Sequence, residues 1–336
     1  MDLGIDLGTS NTVMTVGKKV VLNEPSVIAF NRYTHEIVAI GKKAYKMTGR
    51  NPKRIILVKP LANGVISDDD TTEIMVNEFI LRIIGNQLLR PRIIMCVPSF
   101  ITDVEAKAIV ETAINAGARK VYLIQEPIAS LMGTGADISQ PQGNLIFDIG
   151  GGTTDIAVIS MNGIVTSGSV KTAGNSMNHS IRKYIYETYG LAIGELTAEN
   201  VKRNFANVCN PSEESTMAVS GRSSKNGQPA TIMIDETDIA KALHENLTEI
   251  INEIANVIEQ TTPELTADIA KNGAILTGGG SLLKGLGGYI EQETGIRCRV
   301  AENPAECVAR GTAMAFRRID TLLDGFVNIT IYKYGE

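Results

Sequence analysis

Phe147-Asp148-Ile149-Gly150-Gly151-Gly152-Thr153-Thr154-Asp155 follows the apolar residues Leu145 and Ile146, so that a buried strand delivers a carboxylate, three glycines and two hydroxyls in succession. Glycines let backbone N–H groups approach a polyphosphate without an intervening side chain, and the threonines add donors. Ile5-Asp6-Leu7-Gly8-Thr9-Ser10-Asn11-Thr12 repeats the plan near the start of the chain. A third apolar strand ends in a glycine turn at Ala274-Ile275-Leu276-Thr277-Gly278-Gly279-Gly280-Ser281. One such turn can be purely conformational. Three of them, two with an Asp in the equivalent place, point to a duplicated domain with one phosphate site between the halves. Neither G-x-x-x-x-G-K-[ST] nor G-x-G-x-x-G occurs, so Walker-type and Rossmann-type binding are not indicated.

With 336 residues the chain is long enough for two domains of ordinary size. A hydrophobic fraction of 43% with 21% charged residues is that of a soluble globular protein. The net charge of −5 argues against a general nucleic-acid binder, and none is expected as a partner. Cys96, Cys209, Cys298 and Cys307 are scattered without a CxxC, so a disulfide framework or zinc site is not expected and a reducing, cytoplasmic setting is. The chain opens on Leu3-Gly4-Ile5 without a signal-peptide pattern, and no apolar run approaches the roughly 20 residues that span a bilayer. Membrane contact is therefore expected to be peripheral.

Short apolar stretches with turns between them predict strands over residues 3 to 40. Arg32 to Pro60 is rich in Lys and Arg and reads as a small insertion with a solvated basic face. Asp68-Asp69-Asp70 suits a metal in isolation, but acidic residues at a helix start are favoured by the macrodipole, and Ile74, Met75, Phe79, Ile80 and Ile83 continue a helical pattern. A buried strand is expected over Ile93 to Val97, then a helix capped by Thr102 or Asp103 with Val104, Ala108, Ile109 and Ala113 on one face. Val121 to Ile124 is the next strand, with Gln125-Glu126-Pro127 at its carboxyl end, where open α/β sheets bind ligands. Asp238 to Gln260 carries the clearest amphipathic pattern. The Asn226-Gly227 turn predicts a hairpin in a second small subdomain, and Leu282-Leu283 are expected to open a helix after the third glycine turn.

These residues resemble the actin, Hsp70 and sugar-kinase ATPase superfamily. Asp6-Leu7-Gly8-Thr9 is similar to its first phosphate motif, Asp148-Ile149-Gly150-Gly151-Gly152-Thr153 to its second, and Thr277-Gly278-Gly279-Gly280 to its adenosine motif. Glu126-Pro127-Ile128-Ala129-Ser130 and Ala309-Arg310-Gly311-Thr312-Ala313 resemble its connecting helices. Asn23-Glu24-Pro25-Ser26-Val27, Gly64-Val65-Ile66-Ser67-Asp68, Tyr122 to Pro127 and Ile193 to Glu199 further resemble the MreB bacterial actins, over essentially the whole chain. The resemblance implies an α/β, actin-like ATPase fold: two duplicated ribonuclease-H-like domains around a nucleotide cleft, each with a small inserted subdomain. The expected division is 1–31, 61–140 and 310–336 for domain IA, 32–60 for IB, 141–176 and 238–309 for IIA, and 177–237 for IIB.

The resemblance also implies ATP in the cleft, with Mg²⁺ held mostly through waters near Asp6 and Asp148. Ser10, Asn11 and Thr12 would cradle the phosphates from one side, and Gly150, Gly151, Gly152 and Thr153 from the other. Glu199 and Lys202, one helical turn apart, would meet ribose and base, or form an exposed ion pair. Gly278, Gly279, Gly280 and Ser281 would close over the adenosine. Hydrolysis needs an oriented water, and Gln125, Thr154 and Asp155 are the expected catalytic group. The chain has Gln125 where the MreB pattern has Glu, Asp155 where it has Glu, and Ala173-Gly174-Asn175 where it tends to Gly-Gly-Asp. An amide orients water but takes no proton, so slow hydrolysis is expected.

Leu88 and Leu89, flanked by Arg90 and Arg92, match a lipid-entering loop of the MreB proteins; folding back onto the core is the alternative. The implied activity is assembly into membrane-associated cytoskeletal filaments for cell shape or motility. The implied partners are other copies of the chain, the cytoplasmic face of the membrane and cell-shape proteins. An Hsp70-like chaperone fragment and a sugar-kinase-type enzyme are the competing readings. The first would need a substrate-binding domain beyond Glu336, and the second a carboxylate base for a small hydroxylated substrate.

Overall fold

Each Asp-bearing apolar stretch opens a central sheet. The structure, a computed structural model, describes residues 1–85, 90–99, 101–319 and 326–327. β1 (Asp2–Leu7), β2 (Asn11–Val16) and β3 (Lys19–Pro25) form an antiparallel meander. β4 (Ile28–Asn31), β5 (Ile37–Ile40), α1 (Lys42–Tyr45) and β6 (Ile55–Val58) follow, then the short β7 (Leu61–Ala62) and β8 (Val65–Ile66). Next come α2 (Asp69–Ile84), β9 (Arg92–Val97), α3 (Asp103–Asn115), β10 (Lys120–Gln125) and α4 (Glu126–Gly133).

The second half begins with another antiparallel meander, β11 (Asn144–Ile149), β12 (Thr154–Ser160) and β13 (Gly163–Val170). α5 (Gly174–Tyr189), β14 (Leu191–Ala192), α6 (Glu195–Asn204), β15 (Thr216–Ser223) and β16 (Pro229–Asp235) come next. The chain continues through α7 (Glu236–Glu259), α8 (Pro263–Asn272), β17 (Ala274–Thr277), α9 (Leu286–Thr294), β18 (Cys298–Val300), α10 (Cys307–Ala315) and β19 (Phe326–Val327).

The two large sheets share one plan. Their orders are β3-β2-β1-β9-β10-β19 and β13-β12-β11-β17-β18. In each, the first strand of a meander is joined by two parallel strands, β9 and β10 in one and β17 and β18 in the other. Parallel strands need covered faces, and β9 and β11 accordingly have runs of buried apolar side chains, Ile93 to Val97 and Leu145 to Phe147. Two smaller three-stranded sheets, β5-β4-β6 and β14-β15-β16, complete the strand framework together with the β7–β8 hairpin.

α7 illustrates how the pattern becomes packing. Asp235 caps it, accepting from the backbone N–H of Asp238, and Ile239, Leu243, Leu247, Ile250, Ile254 and Val257 line one buried stripe. That stripe closes the apolar core of the second half together with Phe147, Ile156 and Val158. α4 and α10 lie between the two sheets, and their Ile128, Leu131, Met132 and Val308 pack with Ile94 from one sheet and Ile146 from the other. Asp68 caps α2 by accepting from Thr71 N–H, with Asp69 and Asp70 in the first turn, so the acidic triplet is a helix start.

Two local expectations change. Val104 is 79% exposed at the first turn of α3 rather than on its buried face, which Ile109, Val110 and Ala113 form. Leu282 and Leu283 open no α-helix: a 3-10 turn spans Gly279–Leu282, and α9 starts only after Gly285, whose backbone is left-handed at φ 84°.

Candidate functional site

The ends of β1 and β11 and the turns after them line one cleft of about 470 Å³ between the two sheets. Of the residues expected there, Asp6, Ser10, Asn11, Asp148, Gly150, Gly151, Gly152 and Thr153 lie on its wall. So do Glu199, Lys202, Gly278, Gly279 and Gly280. The two phosphate-type turns nearly touch. A Cβ on Gly151 would sit 2.0 Å from Ser10 Oγ, and one on Gly152 would sit 2.5 Å from Thr9 Oγ1, so only glycine permits this approach. Gly64 N–H, in the β7–β8 hairpin, donates to Thr9 Oγ1 (2.9 Å) and steadies the first turn, while Ser10 Oγ donates to Asn175 Oδ1 on α5 (3.3 Å) and ties that turn to the second half.

α6 supplies the far wall. Lys202 Nζ donates to Glu199 Oε2 at 2.8 Å and to the carbonyl of Gly174 at 2.7 Å, while Asn178 Nδ2 donates to the same Glu199 oxygen at 2.7 Å. Lys202 is only 10% exposed, so the pair is a built part of the wall and not a solvated ion pair. Burial pushes the Glu199 carboxyl up, but the Lys202 ammonium outweighs it and leaves the group below its ordinary value.

The carboxylates at the floor behave in the opposite way. Burial holds Asp6 up to about 7. Burial and then the charges of Asp155 and Asp6 push Asp148 well above the carboxylate range, although Ser130 and Thr277 donate to it. Glu126 is raised by burial and by Asp155, Asp148 and Asp6. Carboxylates crowded this way resist ionisation unless a cation joins them. Among the described residues no group of three or more His, Cys, Asp or Glu side chains could hold a metal. Asp6 and Asp148 on one wall are the kind of donor set that suits Mg²⁺, which keeps waters and takes one or two carboxylates alongside phosphate oxygens.

The remaining expected residues lie off this wall. Thr12 turns inward on β2, where its Oγ1 shares a hydrogen bond with Ser26 Oγ (3.0 Å). Ser281 Oγ donates to the Gly278 carbonyl (2.7 Å) and thereby shapes the third turn. Gln125 Nε2 donates to the Ser99 carbonyl at 3.4 Å, and Thr154 Oγ1 donates to the Thr172 carbonyl at 2.6 Å. Asp155 is fully buried beside Asp148, its partner in the β11–β12 register, and burial raises its carboxyl. Leu88 and Leu89 lie outside the described residues.

The structure adds wall residues that were not among the expected site residues, although most lie in the motifs quoted above. They include Thr9, Asn23, Gly64, Glu126, Asn175, Arg203 and Leu282. Glu126 follows Gln125 directly and begins α4, with Pro127 in the first turn, so the signal lay one position along. Asn23 accepts a hydrogen bond from Asn11 Nδ2 (2.8 Å) and orients that amide at the cleft edge.

Comparison with known proteins agrees with this architecture. A family model described as MreB/Mbl protein matches residues 1–324. The cell shape-determining protein Mbl of Bacillus subtilis (strain 168) is 44% identical over 323 residues, covering 96% of this chain and 97% of that protein. The crystal structure of MreB5 of Spiroplasma citri bound to ADP superposes with a TM-score of 0.89 at 35% identity, covering 94% of this chain and 96% of that one. The MamK double helical filament shares the fold, with a TM-score of 0.80 at 21% identity, covering 94% of this chain and 98% of that one. With two sheets of one topology around a single cleft and a family match along nearly its full length, this chain has the actin-like fold and belongs to the MreB/Mbl family.

Proposed function

We propose that this chain binds ATP with Mg²⁺ and assembles into cytoskeletal filaments that act in cell shape or motility at the inner face of the cell membrane. The observation that carries the reading is the cleft, where two glycine turns from like sheets meet above buried carboxylates. A relative at 44% identity is a cell shape-determining protein, and a structural neighbour at 35% is bound to ADP. Ser10, Asn11 and the Gly150–Thr153 turn hold the phosphates, and Asp6 and Asp148 face the metal. Glu199 and Lys202 take the ribose and base, while Gly278 to Gly280 cover the adenosine. Bound Mg²⁺ would neutralise phosphate charge. The division of the chain into domains IA, IB, IIA and IIB is retained on this reading, supported by the two large and two small sheets, with the IA–IB bound moved ahead of β4, which pairs with β5 and β6 in the small sheet.

Water attack on the γ-phosphorus breaks the bond to the bridging oxygen, and the water's proton needs an acceptor. Glu126 is the carboxylate on the cleft wall suited to take it: ionised once a cation joins the crowded acids, it would be a stronger base than an ordinary glutamate, because burial and its neighbours raise its proton affinity. Gln125, with its amide on the Ser99 carbonyl, then exerts no brake on hydrolysis. Thr154 ties β12 to the Thr172 carbonyl, and Asp155 adds a buried carboxyl beside Asp148.

Sedimentation with ATP and with ADP tests the whole reading. Nucleotide-dependent pelleting is expected, and its absence at micromolar protein would sink it; neither the chaperone nor the sugar-kinase reading predicts pelleting. No helix among the described residues is long and apolar enough to cross a membrane, and membrane attachment is assigned to Leu88 and Leu89. Two leucines supply only a few kcal/mol on transfer from water, so binding depends on many copies in a filament. Replacing both with Ser is expected to abolish co-pelleting of filaments with anionic liposomes; undiminished pelleting would remove the loop from the account.

A further inference from the structure

The two flanks of the cleft also meet outside its lining, away from the glycine turns. Lys59, one residue past the end of β6, forms a salt bridge through Nζ with Glu195 Oε1, the first residue of α6, from 136 positions away in sequence. Tyr45, the last residue of α1, faces the same place. Its phenol is raised by burial first and then by the charges of Glu199 and Glu195. Two residues of the first small sheet region therefore confront α6, which belongs to the opposite flank.

The placement of the acidic partners on α6 gives this contact its meaning. Glu195 and Glu199 are four residues apart and share one helix face. Glu199, with Lys202, lines the cleft, whereas Glu195 lies one turn nearer the helix start and off the cleft wall. One helix thus carries both a cleft-lining pair and the anchor of a bridge to the opposite flank.

We propose that Lys59 and Glu195 form a latch across the cleft mouth that sets the rate of nucleotide release, with α6 relaying ribose contact to the latch. The proposal rests on the nucleotide-binding reading above. Both side chains are partly exposed, 39% for Lys59 and 31% for Glu195, so the latch is a modest and salt-sensitive brake, not a lock.

The test uses the full chain loaded with a fluorescent ADP analogue and chased with unlabelled ATP, at a protein concentration below assembly. K59E and E195K are each expected to release the analogue roughly two- to fivefold faster at low salt, the range that an exposed ion pair supports. The double variant K59E/E195K, which restores opposite charges, should return to the original rate, and added salt should shrink the differences. Neither residue lies on the cleft wall, so unchanged melting curves accompany these shifts if the latch is the cause. Equal release rates in all four proteins overturn the latch alone. Failure of the unaltered chain to bind the analogue overturns the nucleotide reading beneath it.

Discussion

Glu126→Gln is expected to lower phosphate release from ATP by about 10²- to 10⁴-fold, the range for loss of a general base, with nucleotide affinity little changed. The substitution keeps the size and hydrogen-bonding reach of the side chain but removes its capacity to accept a proton. It also removes one of the mutually repelling acids around Asp148, so binding of an anionic nucleotide does not suffer. The companion variant Gln125→Glu separates neighbouring positions. Its side chain is directed to Ser99 and not to the cleft wall, and its phosphate release is expected within about twofold of the unaltered rate, an effect too small to register as catalytic. Single-turnover phosphate release with both variants checks this. A fast Glu126→Gln or a strongly accelerated Gln125→Glu would return the catalytic role to Gln125.

Gly311→Ala is expected to cost about 3 kcal/mol or more, at or beyond the upper end for overpacking, and to lower the apparent melting temperature by about 5 °C or more. α4 and α10 cross with their backbones almost in contact. A Cβ on Gly311 would lie 1.6 Å from the carbonyl oxygen of Ala129, and a Cβ on Gly133 would lie 1.8 Å from that of Cys307. The two sites are reciprocal, since 129 and 133 on one helix meet 307 and 311 on the other at the same four-residue spacing. Neither obstacle is a flexible side-chain tip, so the helices themselves must separate. They sit in the core shared by both sheets, and the strain therefore reaches Ile94 and Ile146 on either side. Gly287→Ala on α9 is the control. Its nearest neighbour would be 3.6 Å away, an ordinary contact, and the change should be neutral or slightly stabilising. A Gly311→Ala protein as stable as this control would refute the account of the crossing.

What could be read in the residues and what could not divides by distance along the chain. The apolar run into Asp148 and the glycines after it, the like run into Asp6, and the spacing of Ile239, Leu243, Leu247 and Ile250 are local features with local physical causes. They gave the central strands, the long helix and the cleft-facing turns. Val104 misled because an apolar residue at helical spacing is buried only if another element covers that turn. Thr12, Ser281, Gln125 and Thr154 lie off the wall for a related reason. Each lies within one residue of a wall position, and the direction of a side chain at the end of a strand or the first turn of a helix is decided by what it packs against.

By itself, then, the sequence determined that this is a duplicated α/β protein with glycine turns at the ends of its central strands, because apolar periodicity, glycine and carboxylate placement act within a few residues. Only the tertiary structure decided that Glu126 and not Gln125 lines the cleft, that Glu199 and Lys202 form a half-buried wall, and that Lys59 bridges to Glu195. Those outcomes depend on how two sheets and the α4–α10 crossing bring distant segments together. The burial that raises Asp6, Asp148 and Glu126 exists only once that packing has formed.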